Sequence, residues 1–234
     1  MRLFAGWNSS LRMPSFTEMY YKLKGFDADP HLKPEEMQAA EVGVQLMLPA
    51  FQAKALLFHH HGRNMIDWVM DTTKGDEAVW QSVNHTRLDT EGVEAQLTLD
   101  LSRTLPLRLP PSNLQLSYSY ITQDKKLEEG MVSQYAMEYL RHKLVAALMT
   151  RPTERLELSV SMRWQDRVGC YTTFEGEVKD YRPFALVDAR AAWQASHVKL
   201  YAEMNNVLNN RSYVDFGNVP QPGTWFIAGL TWHL

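Results

Sequence analysis

Residues 155–165, RLELSVSMRWQ, alternate strictly between polar and apolar side chains. The apolar residues of this stretch are Leu156, Leu158, Val160, Met162 and Trp164. Because successive side chains of a β-strand point to opposite faces, a period of two predicts a strand with one apolar and one polar side. This stretch therefore predicts a β-strand with one apolar and one polar side.

The same alternation recurs in four further stretches, at residues 92–102, 113–120, 187–193 and 197–206. These runs reach about ten residues, the length of a tilted strand that crosses a bilayer, whereas strands of soluble proteins usually have about five or six. Aromatic residues lie near the ends of the apolar faces, as in an interfacial girdle: Tyr120, Trp164, Trp193 and Trp232. A soluble β-sandwich explains the alternation equally well, but the strand length favours a transmembrane barrel.

The connections between these runs also alternate. Long polar connections are found at 13–36, 70–77, 123–135, 168–182 and 207–224, and short ones separate them. Transmembrane barrels have long outer loops and short turns at the other end. We therefore predict an all-β, antiparallel barrel fold of about ten meandering strands, at 2–12, 38–48, 51–68, 79–103, 112–122, 136–149, 154–167, 184–194, 197–206 and 225–234. Residues 79–103 are predicted as one strand, since a turn at Asp89 would reverse the parity of the loops.

Composition excludes several classes of protein. The chain has 24 Lys and Arg against 27 Asp and Glu, so it lacks the basic surface of a nucleic-acid-binding protein. A single cysteine, Cys170, excludes an internal disulfide. A mean hydropathy of −0.35 without a long apolar run excludes a transmembrane helix but is compatible with alternating membrane strands.

Several motifs, taken in order, resemble the TonB-dependent outer-membrane receptors. They are SLRMPSFTEMYY at 10–21, DPHLKPEE at 29–36, GRNMIDWV at 62–69, VN followed by TEGVE between 83 and 94, LYAEMNNVLNNRSY at 200–213 and VPQPGTWFIAGLTWHL at 219–234. His31 stands where that family usually has Asn. The resemblance extends over the whole chain and is closest to the cobalamin and siderophore receptors.

The resemblance implies a function and a set of partners. It implies that residues 1–234 are the C-terminal part of a receptor barrel in the cell outer membrane, without the family's plug domain. The partners would be outer-membrane lipid, the missing N-terminal barrel and plug region, TonB only through that plug, and a small-molecule or metal-chelate ligand. The role would be non-enzymatic uptake of a scarce nutrient such as a siderophore or cobalamin, with no cofactor and no nucleic acid.

The last strand resembles the closing strand of such a barrel. Its alternating residues Phe226, Leu230, Trp232 and Leu234 are expected to face lipid. The family usually ends in Phe or Trp, so Leu234 is a departure. An unpaired strand edge cannot remain in lipid, so the piece must pair with further strands, close on itself or aggregate.

Aromatic residues of the long connections are the candidate ligand contacts: Tyr20, Tyr21, Phe26, Trp68, Trp80, Tyr171, Phe174, Tyr181, Tyr213 and Phe216. They could equally pack the loops together. Charged residues expected to face the lumen are Arg155, Glu157, Arg163, Asp188, Arg190, Lys199 and Glu203. These could line a solute path or contact a plug, or they could pair with one another in a hydrated wall.

The sequence carries weak signals for two other functions, a metal site and an outer-membrane barrel protease. His59 and His61 share a strand face, but no third ligand is identifiable, so we expect no metal site. Asp67 near these histidines is the one hint of an outer-membrane barrel protease, and neither G-x-S-x-G nor H-E-x-x-H is present. A small barrel enzyme and a soluble β-sandwich binding module thus remain the alternatives to a receptor.

Overall fold

The computed structural model describes residues 1–105, 108–125, 130–133, 138–215, 217, 219 and 221–232, with the backbone alone at 85, 86 and 125. The elements are β1 (Arg2–Arg12), α1 (Phe16–Tyr20), β2 (Phe26–Asp27), β3 (Glu35–Leu48), β4 (Phe51–Asp71), a 3₁₀ turn (Thr72–Glu77), β5 (Trp80–Asp100), α2 (Leu101–Thr104), β6 (Ser112–Lys125), β7 (Met131–Ser133), β8 (Tyr139–Thr150), β9 (Leu156–Val168), β10 (Cys170–Thr172), β11 (Val178–Asp180), β12 (Phe184–Gln194), β13 (Val198–Asn205) and β14 (Trp225–Trp232).

The ten long strands form one antiparallel meander, in the order β1-β3-β4-β5-β6-β8-β9-β12-β13-β14. This confirms the predicted antiparallel barrel-type fold and the prediction of about ten strands. A single sheet, rather than two packed sheets, is not the arrangement of a β-sandwich. Within the described residues, β1 and β14 do not pair with each other, so the sheet is open and has two edges.

The register brings all the apolar sides of the strands to one face. On β9 and β12, for example, Val160 is opposite Ala189, while Ser161 is opposite Asp188 on the other face. Large apolar side chains of the first face stay exposed, including Leu3 (72%), Phe226 (72%) and Leu230 (63%). So wide an apolar surface open to the surroundings is expected for a protein whose solvent on that side is lipid. Hereafter we call it the apolar face and its opposite the polar face.

The buried core lies beyond the apolar belt, among the long connections. Its apolar members are Ala28, Leu32, Ile66, Trp68, Val69, Tyr181, Phe184 and Leu186, whereas Ala192 is buried near the other end of β12. The outer halves of β4 and β5 support much of it, because β2 pairs in parallel with β5 and β7 pairs antiparallel with β4. Two connections are thereby joined to opposite edges of the same long hairpin.

Several boundaries differ from the prediction. The alternation was expected to continue to residue 103, but β5 ends at Asp100 because the Asp100 carboxylate accepts hydrogen bonds from the backbone N–H groups of Ser102 and Arg103 and caps α2. β3 begins at Glu35 rather than 38, and β4 runs on to Asp71. Residues 136–137 of the predicted sixth strand and Leu234 lie outside the described residues.

Neither helix in the described part of the chain has the length and apolar composition that crossing a bilayer requires.

Candidate ligand site at the outer end of the sheet

All long connections lie at one end of the sheet, and all short ones at the other. Residues 49–50 and 195–197 make tight turns at the short end, whereas 13–34 and 206–224 are found at the long end. The long end carries the buried aromatic clusters and a cavity lined by residues of two long connections. We refer to this end as the outer end.

A cavity of about 540 Å³ opens between the β10–β11 hairpin and the connection that follows β13. Its lining residues are Tyr171, Lys179, Asp180, Arg182, Pro183, Phe184, Asn210, Ser212, Tyr213 and Val214. A volume of this size is in the usual range for small-molecule sites, which combine apolar walls with a few placed polar groups. The cavity therefore qualifies as a candidate ligand site.

Aromatic rings form two walls of the cavity. Phe184 and Tyr213 have ring centroids 4.5 Å apart, and Tyr171 lies 5.3 Å from Tyr181 just behind the lining. Phe184 begins β12, and burial of its ring holds the 206–224 connection against the sheet. Burial also raises the pKa of Tyr213, so its phenol stays neutral and can donate a hydrogen bond.

Two cations and one acid complete the lining. Lys179 and Arg182 carry positive charge, and Asp180 carries the opposite charge. The Lys179 ammonium is also 2.8 Å from the Glu177 carboxylate. An aromatic wall beside guanidinium and ammonium groups favours a planar or anionic ligand through stacking and charge-assisted hydrogen bonds.

Tyr181 joins three connections behind the cavity. Its hydroxyl donates a hydrogen bond to Glu138 at 2.8 Å and accepts one from the backbone N–H of Gly217 at 2.9 Å. The guanidinium carbon of Arg167 lies 5.6 Å from the ring centroid. Burial, with the Glu138 hydrogen bond, raises the pKa of Tyr181 to about 12. The neutral phenol therefore persists throughout the physiological range and serves as a structural link.

Asp215 holds the 206–224 connection against the polar face of β9. Its carboxylate accepts a hydrogen bond from Gln165 at 2.5 Å and lies 3.9 Å from both Arg163 and Arg167. Gln165 is almost fully buried beneath it. The 206–224 connection is thus fixed by the ring of Tyr213, the carboxylate of Asp215 and the backbone N–H of Gly217.

A second cluster fixes the first long connection. Tyr21 and Phe26 pack edge-on against Trp68, with centroids 6.3 and 5.6 Å away. Ser82, which is 1% exposed, accepts a hydrogen bond from the Asp29 N–H and donates one to the Glu18 carbonyl, both at 2.7 Å. This packing matches the alternative that the loop aromatics hold the loops together.

Arg12 completes that cluster by pairing with two carboxylates. Its guanidinium lies 3.0 Å from Glu18 and 2.5 Å from Glu35, and Glu35 also accepts the N–H of Ile66 at 2.8 Å. Burial alone would raise the pKa of Glu18, but hydrogen bonds from Arg12 and Ser15 outweigh it and lower that pKa. Glu18 therefore stays ionised when the cluster is assembled.

The predicted aromatic contacts fall into three groups. Tyr171 lines the cavity with Tyr213, and Tyr181 lies behind it. Tyr20 and Phe174 are exposed, Phe174 by 82% at the tip of the β10–β11 hairpin. Trp80 is paired with Phe26 next to the Trp68 cluster, and Phe216 lies outside the described residues.

Six of the seven predicted lumen residues share the polar face: Glu157, Arg163, Asp188, Arg190, Lys199 and Glu203. Arg155 lies in the turn that precedes β9. Arg190 is 3.7 Å from Glu203, and Glu157 is 2.9 Å from Arg151, so part of this wall consists of paired charges.

His59 and His61 lie on the apolar face of β4, beyond its apolar belt. Nδ1 of His61 is 2.5 Å from Asp89, and Nδ1 of His59 is 3.3 Å from Glu91. No group of three or more His, Cys, Asp and Glu side chains is arranged to hold a metal in the ranges the structure describes. Asp67 is 2% exposed and accepts a hydrogen bond from Ser133, so it is not presented to a substrate.

Sequence reasoning missed Lys179, Arg182, Phe184 and Asp215. An aromatic residue in a polar loop indicates a candidate ligand contact, whereas a charged residue is common in any loop and indicates none. Phe184 looked like an ordinary strand residue, although its place at the end of the strand beside Pro183 could have indicated it. The long-range contacts of Asp215 leave no local pattern.

The chain belongs to the TonB-dependent receptor family, since its residues 1–207 match the family described as TonB dependent receptor-like, beta-barrel. It is therefore an outer-membrane protein with the β-barrel fold of these receptors, and the match supports a non-enzymatic role.

Individual relatives agree with this assignment. The chain is 27% identical over 96 residues to the vitamin B12 transporter BtuB of Vibrio vulnificus (strain YJ016), an alignment that covers 41% of this chain and 15% of that protein. A ferric enterobactin receptor (PfeA) mutant from Pseudomonas aeruginosa has a TM-score of 0.73 at 20% identity, over 98% of this chain and 38% of that one. The copper transporter OprC has a TM-score of 0.72 at 16% identity, over 97% and 36%. The chain thus spans well under half the length of these proteins.

Proposed function

We propose that the chain forms the C-terminal part of the barrel of a receptor that takes up a scarce nutrient, such as a siderophore, a cobalamin or a similar metal chelate. The observation that carries this proposal is the cavity at the outer end, which combines aromatic walls with Lys179 and Arg182. A rigid sheet with fixed loops at its outer end is suited to ligand recognition rather than to bond-making chemistry.

The ligand would enter the cavity from the outer side. Phe184 and Tyr213 would contact its apolar or planar part, and Arg182 and Lys179 would bind its anionic groups. Tyr171 and Lys179 line the cavity from the β10–β11 hairpin, and the exposed ring of Phe174 lies at the tip of that hairpin. A movement of the hairpin would therefore move this wall of the cavity as well. The ligand class is thus an anionic small molecule or metal chelate.

The remaining partners follow from the edges of the sheet. The edge strands β1 and β14 present unpaired backbone N–H and C=O groups, which cannot remain unpaired in lipid. We propose that the N-terminal strands of the same receptor pair with these edges and that a plug domain fills the lumen beside the polar face. TonB would act through that plug and would not contact the described residues.

Binding by the full chain in detergent tests the cavity. Tyr213→Ala and Arg182→Gln should each weaken binding of a ferric catecholate chelate by roughly tenfold, as expected for a lost hot-spot contact of more than about 1 kcal/mol. Tyr20→Ala, at an exposed ring outside the cavity, is the matched control and should leave affinity unchanged. Equal affinities in all three variants would show that the cavity is not the ligand site.

A further inference from the structure

A further cavity lies at the opposite end of the sheet, where the short turns are, which we call the inner end. It has a volume of about 240 Å³ and lies on the polar face, between the turn at residues 151–155, the end of β12 and the beginning of β13. Sites for drug-sized molecules usually measure about 300–1,000 Å³. The inner cavity therefore suits a small ion or one terminal group of a larger ligand.

Three cationic side chains surround this cavity, and two of them lack an anionic partner. Arg151 donates two hydrogen bonds to Glu157, at 3.1 and 2.9 Å, so these two charges neutralise each other. Arg155 and Lys199 line the same cavity, and neither forms an ion pair with a residue that the structure describes. Glu154 is the remaining acid of the lining. The cavity wall thus carries more positive than negative charge.

The backbone holds the two unpaired cations on either side of β12. The carbonyl of Arg155 accepts a hydrogen bond from the backbone N–H of Gln194 at 2.8 Å, which ties the turn to the end of the strand. Lys199 is paired with Gln194 from the other side. The β12 residue that lines the cavity between them is Ala192, whose single methyl group leaves room for a ligand. An anion that binds here would have to order side chains but not the backbone.

The outer and inner cavities lie at the two ends of the same strand. β12 begins at Phe184, which lines the outer cavity, and ends at Gln194, which lines the inner one. The two residues are an even number of positions apart and therefore share the polar face. A strand of this length spans about 33 Å, close to the roughly 30 Å thickness of the hydrocarbon core. An anion that moves along this wall from the outer cavity therefore reaches the inner cavity at the other side of the membrane.

We propose that Arg155 and Lys199 form a second anion-binding site, which receives a carboxylate or phosphate group of the ligand at the inner end of the lumen wall. The planar guanidinium of Arg155 would bind two oxygens of this group, and the ammonium of Lys199 would bind it as a point charge. The side-chain amide of Gln194 would add a neutral donor. This inference rests on the proposed uptake role, which supplies the anionic ligand.

An NMR titration of the full chain in detergent with tricarballylate measures binding at each cavity separately. The probe should shift the amide signals of residues 151–157 and 194–199. Arg155→Gln and Lys199→Gln should each weaken binding at these amides roughly fivefold to tenfold, because each removes a charge-assisted hydrogen bond. The matched control is Arg2→Gln, which removes one positive charge from the inner end of β1, outside the cavity, and should leave the affinity unchanged.

Glu154→Gln tests the site in the opposite direction, so a loss of folded protein cannot imitate the expected result. Removal of a carboxylate beside two cations should tighten binding roughly twofold to fivefold. The proposal is overturned if Glu154→Gln does not bind more tightly, if Arg155→Gln and Lys199→Gln bind as well as Arg2→Gln, or if the uncharged trimethyl ester shifts these amides as strongly as the acid. Binding of tricarballylate at the inner cavity by a chain whose outer cavity binds no ferric catecholate would refute the proposed uptake role alone.

Discussion

The ring of Tyr201 covers Gly229, its direct partner across β13 and β14. The same relationship links Phe4 with Gly43 and Phe58 with Gly92, each time on the polar face. A glycine leaves a gap in the side-chain layer of a sheet, and a cross-strand aromatic ring fills it. Three such pairs indicate that the polar wall is closely packed despite its charges.

Gly229→Ala should lower the free energy of unfolding by about 1–3 kcal/mol, because the added methyl group would overlap the Tyr201 ring. Urea unfolding of the chain in detergent measures the change. Gly6→Ala is the matched control, since a Cβ there meets no atom within 4 Å. An equal loss of stability in both variants would show that ring packing is not the cause.

Val160→Arg should reduce folded protein in lipid vesicles, because a cation on the lipid side of a membrane barrel costs about 2–4 kcal/mol near the midplane. The neighbouring Ser161→Arg places the same side chain on the polar face and should cost much less. Folding yields on electrophoresis without heating compare the two. The assignment of the two faces would be reversed if Ser161→Arg were the more damaging change.

Ser82→Ala should loosen the first long connection without unfolding the sheet. The substitution removes both hydrogen bonds that this buried hydroxyl makes to the connection, and each is worth about 0.5–1.5 kcal/mol. Amide exchange at residues 15–30 should rise by roughly tenfold, while exchange in β9 stays constant. Ser117→Ala, at an exposed position of β6, serves as the control and should change neither.

Acidification should release the same connection. Because the pKa of Glu18 is lowered in the folded state, its contribution to stability is complete above its ordinary pKa near 4.5 and is lost as the pH falls through the folded value. Limited proteolysis of residues 13–34 at decreasing pH measures this opening. Glu18→Gln should be cut more readily at neutral pH and should respond less to acid; an unchanged pH response would exclude Glu18 as the titrating group.

Tyr181→Phe should uncouple the three connections behind the cavity. It removes the hydrogen bonds to Glu138 and Gly217, so exchange should rise in the connections around residues 138 and 217. In the wild type the phenol should ionise only near pH 12, and since the folded pKa is raised, this stabilisation is present below the ordinary value of 10 and is lost at higher pH. Ultraviolet difference spectra follow the ionisation, with Tyr20→Phe as the exposed control.

The period of two predicted the sheet well because lipid and water impose the same rule on every membrane strand. β12 was predicted to the residue, at 184–194, since the alternation of residues 187–191 is clear and short polar segments flank the strand. The rule fails where local hydrogen bonds take over, as at Asp100, whose carboxylate starts a helical turn although Leu101 continues the apolar pattern. β2 and β7 were missed because strands of two or three residues are too short to show a period.

The candidate site was less predictable than the sheet. Tyr171 and Tyr213 were identified as loop aromatics, yet the same criterion selected Trp68, which is buried against Tyr21 and Phe26. Composition cannot distinguish a ring that packs a loop from one that lines a cavity, because both need the same residue type. Asp215 and Arg167 are brought together only by the path of the final connection.

Most of the buried side chains among the described residues lie at the outer end, with Trp68, Tyr181 and Phe184, while the membrane strands bury little against one another. Heat or denaturant should therefore affect the outer end and the membrane strands differently. The connections and aromatic clusters of the outer end can melt like a small water-soluble domain while the strands, whose apolar side is covered by acyl chains, stay in place. Mutations that impair recognition without reducing the amount of protein in the membrane are then expected to cluster at the outer end.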